Sequence, residues 1–150
     1  MNSLADSLAG TWELQTREDF TKAGERRIDP GLGADPIALL FFDRTGHFAA
    51  QFMKRDRTVR PAAELAEPAT AAPNNSRSQG GYDAYFGTYT IDEKTGLVAT
   101  TLVGALTPAN VGQIFQRGMS VAGDELTIRL ETATPGGEPI IRTLRWTRVG

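Results

Sequence analysis

The chain has 150 residues, a formal charge of −2 from 16 basic and 18 acidic side chains, no cysteine and one histidine. That excludes a disulfide framework, a thiolate nucleophile, a cysteine-based zinc site and any site needing two histidines from one chain, and it leaves no global field for nucleic acid or an anionic membrane. At 40% hydrophobic and 23% charged residues the sequence is that of an ordinary globular protein, long enough to bury roughly 68–70% of its unfolded surface as one domain.

The first nine residues have no basic start and no apolar run of signal-peptide length, and no stretch approaches the roughly 18 apolar residues of a membrane span. The expectation is a cytoplasmic protein. Ser3 is placed to cap one helical turn over 3–8, with Leu4 and Leu8 stacked four residues apart. Beyond it, turn signals recur at short intervals: Asp29-Pro30-Gly31, Asp43-Arg44-Thr45-Gly46, Asp92-Glu93-Lys94-Thr95-Gly96, Ala122-Gly123-Asp124 and Pro135-Gly136-Gly137. Between them lie runs of strand length rich in β-branched and aromatic residues, at 11–19, 36–43, 47–54, 82–91, 97–104, 113–121, 125–132 and 140–148, with a weaker run at 25–28. Strands joined by tight, mostly sequential turns predict an antiparallel meander closed into a sandwich or barrel.

Alternation assigns the faces. Trp12 and Leu14 fall on one side of the first strand, against Glu13, Gln15 and Arg17 on the other. Leu126, Ile128 and Leu130 oppose Glu125, Thr127, Arg129 and Glu131, and Leu144 and Trp146 oppose Thr143, Arg145 and Thr147. Residues 37–42 (Ile-Ala-Leu-Leu-Phe-Phe) are apolar on both faces, so the outer one calls for a cover by a helix, a loop or another subunit. The one long connection, 55–81, opens on Arg55, Arg57 and Arg60, runs between Pro61 and Pro68, and ends in a polar Asn-Ser-Gly stretch. Connections of this length in a compact β domain are lids or mobile segments.

Several pieces together carry a resemblance. Gly10-Thr11-Trp12 opens the first strand with the Gly-x-Trp that lipocalins have there. The segments Pro36 to Asp43, Gly46 to Met53 and Tyr82 to Asp92 follow, the last containing Ala84-Tyr85-Phe86-Gly87-Thr88-Tyr89. Gln116-Arg117, Gly123-Asp124-Glu125-Leu126 and Leu144-Arg145-Trp146-Thr147-Arg148-Val149 complete the set. In this order they resemble the lipocalin-like domain family of small microbial proteins over nearly the whole chain. The resemblance implies an all-β fold: an antiparallel lipocalin-like β-barrel of about eight strands with an internal pocket, a short N-terminal helical turn and one long lid-like loop. It implies no single ligand; a few relatives are held to be isomerases or cyclases. Relatives often carry a His-His pair and a Glu on the strand that here spans 96–104. This chain has Thr100, Thr101 and Val103 at the matching places, so chemistry resting on those groups does not carry over.

Among polar residues Arg117 shares strand parity with Phe115, Met119 and Val121 and should point to the apolar side. A buried guanidinium needs partners. It is either a plug laid over the Trp12 indole at one barrel end or an anion-binding group in the pocket. Arg142 has the parity of Leu144 and Trp146 and either lines the opposite mouth or snorkels to water. Two inward arginines suit a carboxylate, enolate or phenolate. Phe42, Phe48, Phe52, Tyr85 and Tyr89, with Tyr82 and Phe86, either line a cavity or fill the core; Ala50, Gly87 and Gly104 would leave space between the rings. Thr100 joins Arg117, Arg142 and these aromatics as a ligand-binding candidate. His47 is the one residue whose ordinary pKa lies near neutrality and is the first choice for a general base, against the plain reading of an exposed histidine beside a turn. Asp83 and Tyr85 are the remaining acid–base candidates, with a solvated carboxylate the plain alternative for Asp83. The expected partner is a small hydrophobic or aromatic molecule with a polar or anionic end, carried or, alternatively, converted without cofactor or metal by an isomerase, cyclase or lyase. The apolar outer face around Leu39 and Phe41 offers a third function, as an interaction surface or the seam of a homodimer. No nucleic acid or membrane partner is expected.

Overall fold

A computed structural model describes residues 3–57, 74, 76 and 78–150. Helix α1 (Leu4–Leu8) precedes strands β1 (Gly10–Phe20), β2 (Arg26–Arg27), β3 (Ile37–Phe42), β4 (His47–Met53), β5 (Tyr82–Asp92), β6 (Leu97–Ala105), β7 (Ile114–Ala122), β8 (Glu125–Ala133) and β9 (Pro139–Arg148), with a 3₁₀ turn at Pro108–Asn110. From β3 onward each strand pairs antiparallel with the next, β1 pairs with β3, and β9 returns to β1. Eight strands therefore close into a barrel, and β2 only extends the far end of β1 as a short hairpin. Closure leaves the eight strands without free edges and encloses one interior. Among the described residues no helix is long and apolar enough to cross a membrane. Most of the expected lid over 55–81 lies outside the described residues.

The two barrel ends differ in chemistry. At the helix end, Ser3 caps α1 by accepting from the Asp6 amide at 3.1 Å, and the Glu93 carboxylate in the β5–β6 turn accepts from the Leu4 and Ala5 amides at 2.8 and 3.2 Å. This seats Leu8 fully buried in the barrel mouth, where its carbonyl accepts from the Trp12 indole at 2.9 Å. The arginine stacked on Trp12 is Arg148, 4.3 Å from the ring and donating to the carbonyls of Ala9 and Ser7. The expectation that Arg117 fills this place is corrected by topology. Arg148 is the register partner of Trp12, whereas Arg117 sits near the start of β7, toward the other end.

That other end, the arginine end, owes its character to a break in alternation. Leu14 pairs with Trp146 and Thr16 with Arg145, so Gln15 is an extra residue on β1. A bulge of this kind flips every later side chain. Trp12 and Leu14 point inward before it; Arg17 and Asp19, 8% and 4% exposed, point inward after it. Simple alternation had put Arg17 on the wet face, and the bulge overturns that. A second irregularity pairs Phe86 with Gly104 but Gly87 with Leu102. Phe86 therefore lies outside, across Gly104, where a Cβ would meet its ring at 2.4 Å, and a Cβ on Gly87 would stand 1.8 Å from the Thr101 carbonyl oxygen. Neither glycine opens space between interior rings. On β3, Ala38, Leu40 and Phe42 are buried, while Ile37, Leu39 and Phe41 remain 41%, 36% and 39% exposed, uncovered by any described residue.

Candidate functional site

The interior encloses a cavity bordered in part by apolar and in part by charged side chains. Leu40, Phe42, Phe48, Phe52, Phe115 and Met119 wall the apolar part. Phe48 and Phe52 both pack on Tyr85, at 6.0 and 6.3 Å between ring centres, and Phe52 meets Trp146 edge-on at 5.8 Å. About 60 Å³ is open to the centre of a water-sized sphere. This is room for roughly four to six waters, or about 120–180 Å³ of liquid volume, the scale of one benzene-sized ring.

Three guanidiniums and two carboxylates, Asp29 and Asp83, border the polar part, and Asp19 adds a third carboxylate paired with Arg142. Arg142 binds Asp19 in bidentate fashion, Nε to Oδ1 at 2.8 Å and Nη2 to Oδ2 at 3.0 Å. Arg17 donates to Asp29 at 3.0 Å, and Arg142 lies 4.0 Å from the same Asp29 oxygen. Burial pushes the Asp29 carboxyl up, but the charges of Arg17 and Arg142 and the Gly31 amide outweigh it and hold the group below its ordinary value. These four residues form a neutral set. Arg142 is thus neither snorkelling nor a free anion receptor: it is the centre of a buried ion-pair network.

The third cation and the third anion are not paired with each other. Arg117 donates to the Asn74 side chain and to the Gln116 carbonyl at 3.2 Å, and its guanidinium carbon stands 5.0 Å from the centre of the Phe115 ring. No carboxylate among the described residues lies within 4.0 Å of it, although every other cavity arginine has one. Burial is the main force pushing its pKa down, to about 10, which leaves it charged at neutral pH. Asp83 is 3% exposed rather than solvated. Its Oδ2 accepts from the Ser76 hydroxyl, while its Oδ1 has no hydrogen-bond partner among the described residues. Burial pushes the carboxyl up to about 6, with the Ser76 hydroxyl and the Ala84 amide holding it back. The Tyr85 phenol is also pushed up, by burial first and by Asp83 second, and stays a hydrogen-bond donor.

The Asp83 shift has a sign that can be measured. Its folded value lies above the ordinary 3.8, so the folded state holds the proton more tightly and stability falls as pH rises from about 4 to about 6. Asp83→Asn should therefore raise stability at pH 7.5 by about 1–3 kcal/mol, a gain that shrinks toward zero near pH 4. Urea unfolding of both proteins at pH 7.5 and 4.5 checks this; an equal difference at the two pH values counts against it.

The remaining candidates divide. Phe42, Phe48, Phe52, Tyr85, Thr100, Arg117 and Arg142 all border the cavity, though the Thr100 hydroxyl is occupied by the Phe115 carbonyl at 3.3 Å. Tyr89 does not border it: its hydroxyl donates to the Asp43 carbonyl and its ring stands edge-on to Phe42 at 5.0 Å, as packing at the helix end. His47 is outside the barrel at that same end, facing solvent, with Nδ1 2.9 Å from the Thr45 hydroxyl and 3.5 Å from Asp43. Strand parity turns it away from the interior, so it cannot serve as a base there. Sequence reading missed Arg17, Asp19, Asp29, Ser76 and Ser78. One signal was available: an inward Arg142 needs a carboxylate, and Asp19 is the acidic residue on the strand that closes the barrel against it.

Among curated proteins none matches this chain. A family model described as a lipocalin-like domain matches residues 9–149.

Proposed function

This chain belongs to the lipocalin-like domain family, and from that premise we propose that its barrel takes up one compact apolar or aromatic molecule whose anionic end is held by Arg117. The observation that carries the reading is the isolation of that cation. Arg17 and Arg142 have carboxylate partners, and Arg117, against the same cavity, has only neutral ones among the described residues. A cation partly withdrawn from water beside a cavity and without a counter-charge is costly, and an anion brought by the ligand relieves that cost through charge-assisted hydrogen bonds. The aromatic wall supplies the complementary surface for a ring, and the room available fits a molecule of about one ring with a short acidic group.

Benzoate is a suitable probe. Arg117→Met keeps the side chain's bulk and flexibility but removes the charge, and should weaken benzoate binding roughly 10- to 100-fold, the value of about 1.5–3 kcal/mol for a hydrogen bond to a charged group. Isothermal titration measures it, with Arg117→Lys as the variant expected to retain part of the affinity. Equal affinity in the wild type and Arg117→Met would refute the reading. Native mass spectrometry of freshly purified protein should show the natural ligand as a mass lost on unfolding.

A further inference from the structure

The cavity has a second unsatisfied polar feature, opposite in sign to Arg117. Asp83 borders the cavity, and its buried Oδ1 has no partner among the described residues, while Oδ2 is fixed by Ser76. The titratable and charged groups that bear on it are Arg17 from β1, Asp29 from the segment after β2, and Tyr85 two residues along its own strand. Arg17 is already committed to Asp29, and Tyr85 feels the charges of both Asp83 and Arg117. The interior thus presents an anion receptor and a hydrogen-bond acceptor, with a phenol that feels both.

We infer that the ligand is two-headed: a compact aromatic acid that also carries a hydroxyl or amino hydrogen-bond donor, its acid on Arg117 and its donor on Asp83 Oδ1. This rests on the binding reading above and narrows it. A buried acceptor left without a donor costs the full desolvation of that group. A site built around such an acceptor discriminates strongly against a ligand lacking the donor, by up to about 10⁴–10⁵ in the best-formed cases. An apolar monocarboxylate would fill the apolar part and satisfy Arg117 but leave the Asp83 oxygen bare.

Benzoate, 3-hydroxybenzoate and 4-hydroxybenzoate differ only in that donor and its position. Isothermal titration at pH 7.5 should show at least one hydroxybenzoate binding tenfold or more tightly than benzoate, with that ratio falling below threefold in Asp83→Asn. Should the variant not fold, the wild type at pH 5 gives the same comparison. There Asp83 carries a proton and no longer offers a charged acceptor, so the ratio should collapse, while effects common to the three acids cancel. Benzoate binding that depends on Arg117, with neither hydroxybenzoate preferred, overturns the inference and leaves the binding reading standing. A preference that survives in Asp83→Asn and at pH 5 overturns it as well. Binding of none of the three overturns both.

Discussion

Asp19→Ala is expected to destabilise the protein by about 3–5 kcal/mol, because it strands the Arg142 guanidinium inside the barrel. Arg142 and Asp19 are each 4% exposed and joined by two short hydrogen bonds. Asp29 stands 4.0 Å from Arg142 but is held by Arg17 at 3.0 Å, so it cannot serve both cations equally. With domain stabilities of about 5–15 kcal/mol, such a loss is a large fraction of the total. The double replacement Asp19→Leu, Arg142→Met should recover most of it, because a buried pair exchanged for apolar side chains leaves no charge uncompensated. Urea unfolding followed by tryptophan fluorescence measures both variants; a single-variant loss below about 1 kcal/mol would sink the argument. The pH dependence has a definite sign. Asp29 is held below its ordinary value, so its contribution is present above the ordinary carboxylate range and lost as pH falls through the folded value.

Deleting Gln15 should have a larger effect still, although replacing its side chain should have almost none. Gln15 is exposed and is the residue that β9 leaves unpaired. Gln15→Ala is therefore expected to fall within about 0.5 kcal/mol of wild type. Removing the residue restores strict alternation along β1. Either Trp12 and Leu14 leave the core, or Arg17 and Asp19 leave the interior and both the Arg142–Asp19 and Arg17–Asp29 pairs are broken. Two buried ion pairs broken at about 3–5 kcal/mol each are comparable with the whole stability of an ordinary domain, about 5–15 kcal/mol. The deletion protein should lack a cooperative thermal transition by near-ultraviolet circular dichroism. A transition within a few degrees of wild type would show that the bulge does not fix the polar interior.

The strands were readable because one wet face and one dry face make period-two patterns unmistakable, as in β8 with Leu126, Ile128 and Leu130. Their bounds fall within a residue or two of the structure. The interior chemistry was only half readable. Arg117 and Arg142 followed from parity on regular strands, whereas for the aromatics lining and filling stayed open and Phe86 lies outside. Arg17 and Asp19 did not, since a bulge leaves no local mark in the chain and reverses the inference for everything after it. Asp29 and Ser78 come from irregular segments, where no periodicity assigns a direction. Parity sets His47 with Ala49 and Gln51 but does not say which face of β4 is the inner one; the burial of Phe48, Ala50 and Phe52 decides it.

The pairing of Thr11 with Gly150 and Val149, at 3.0 and 2.8 Å, together with α1 packed over the same mouth, puts the first and last described residues, Ser3 and Gly150, at the helix end. A barrel tethered to a sensor chip or a bead through either end would therefore turn its arginine end toward the bulk solution. Orientation on a surface, normally left to chance, is set by the fold, and a captured layer would present its charged interiors alike whichever end is anchored.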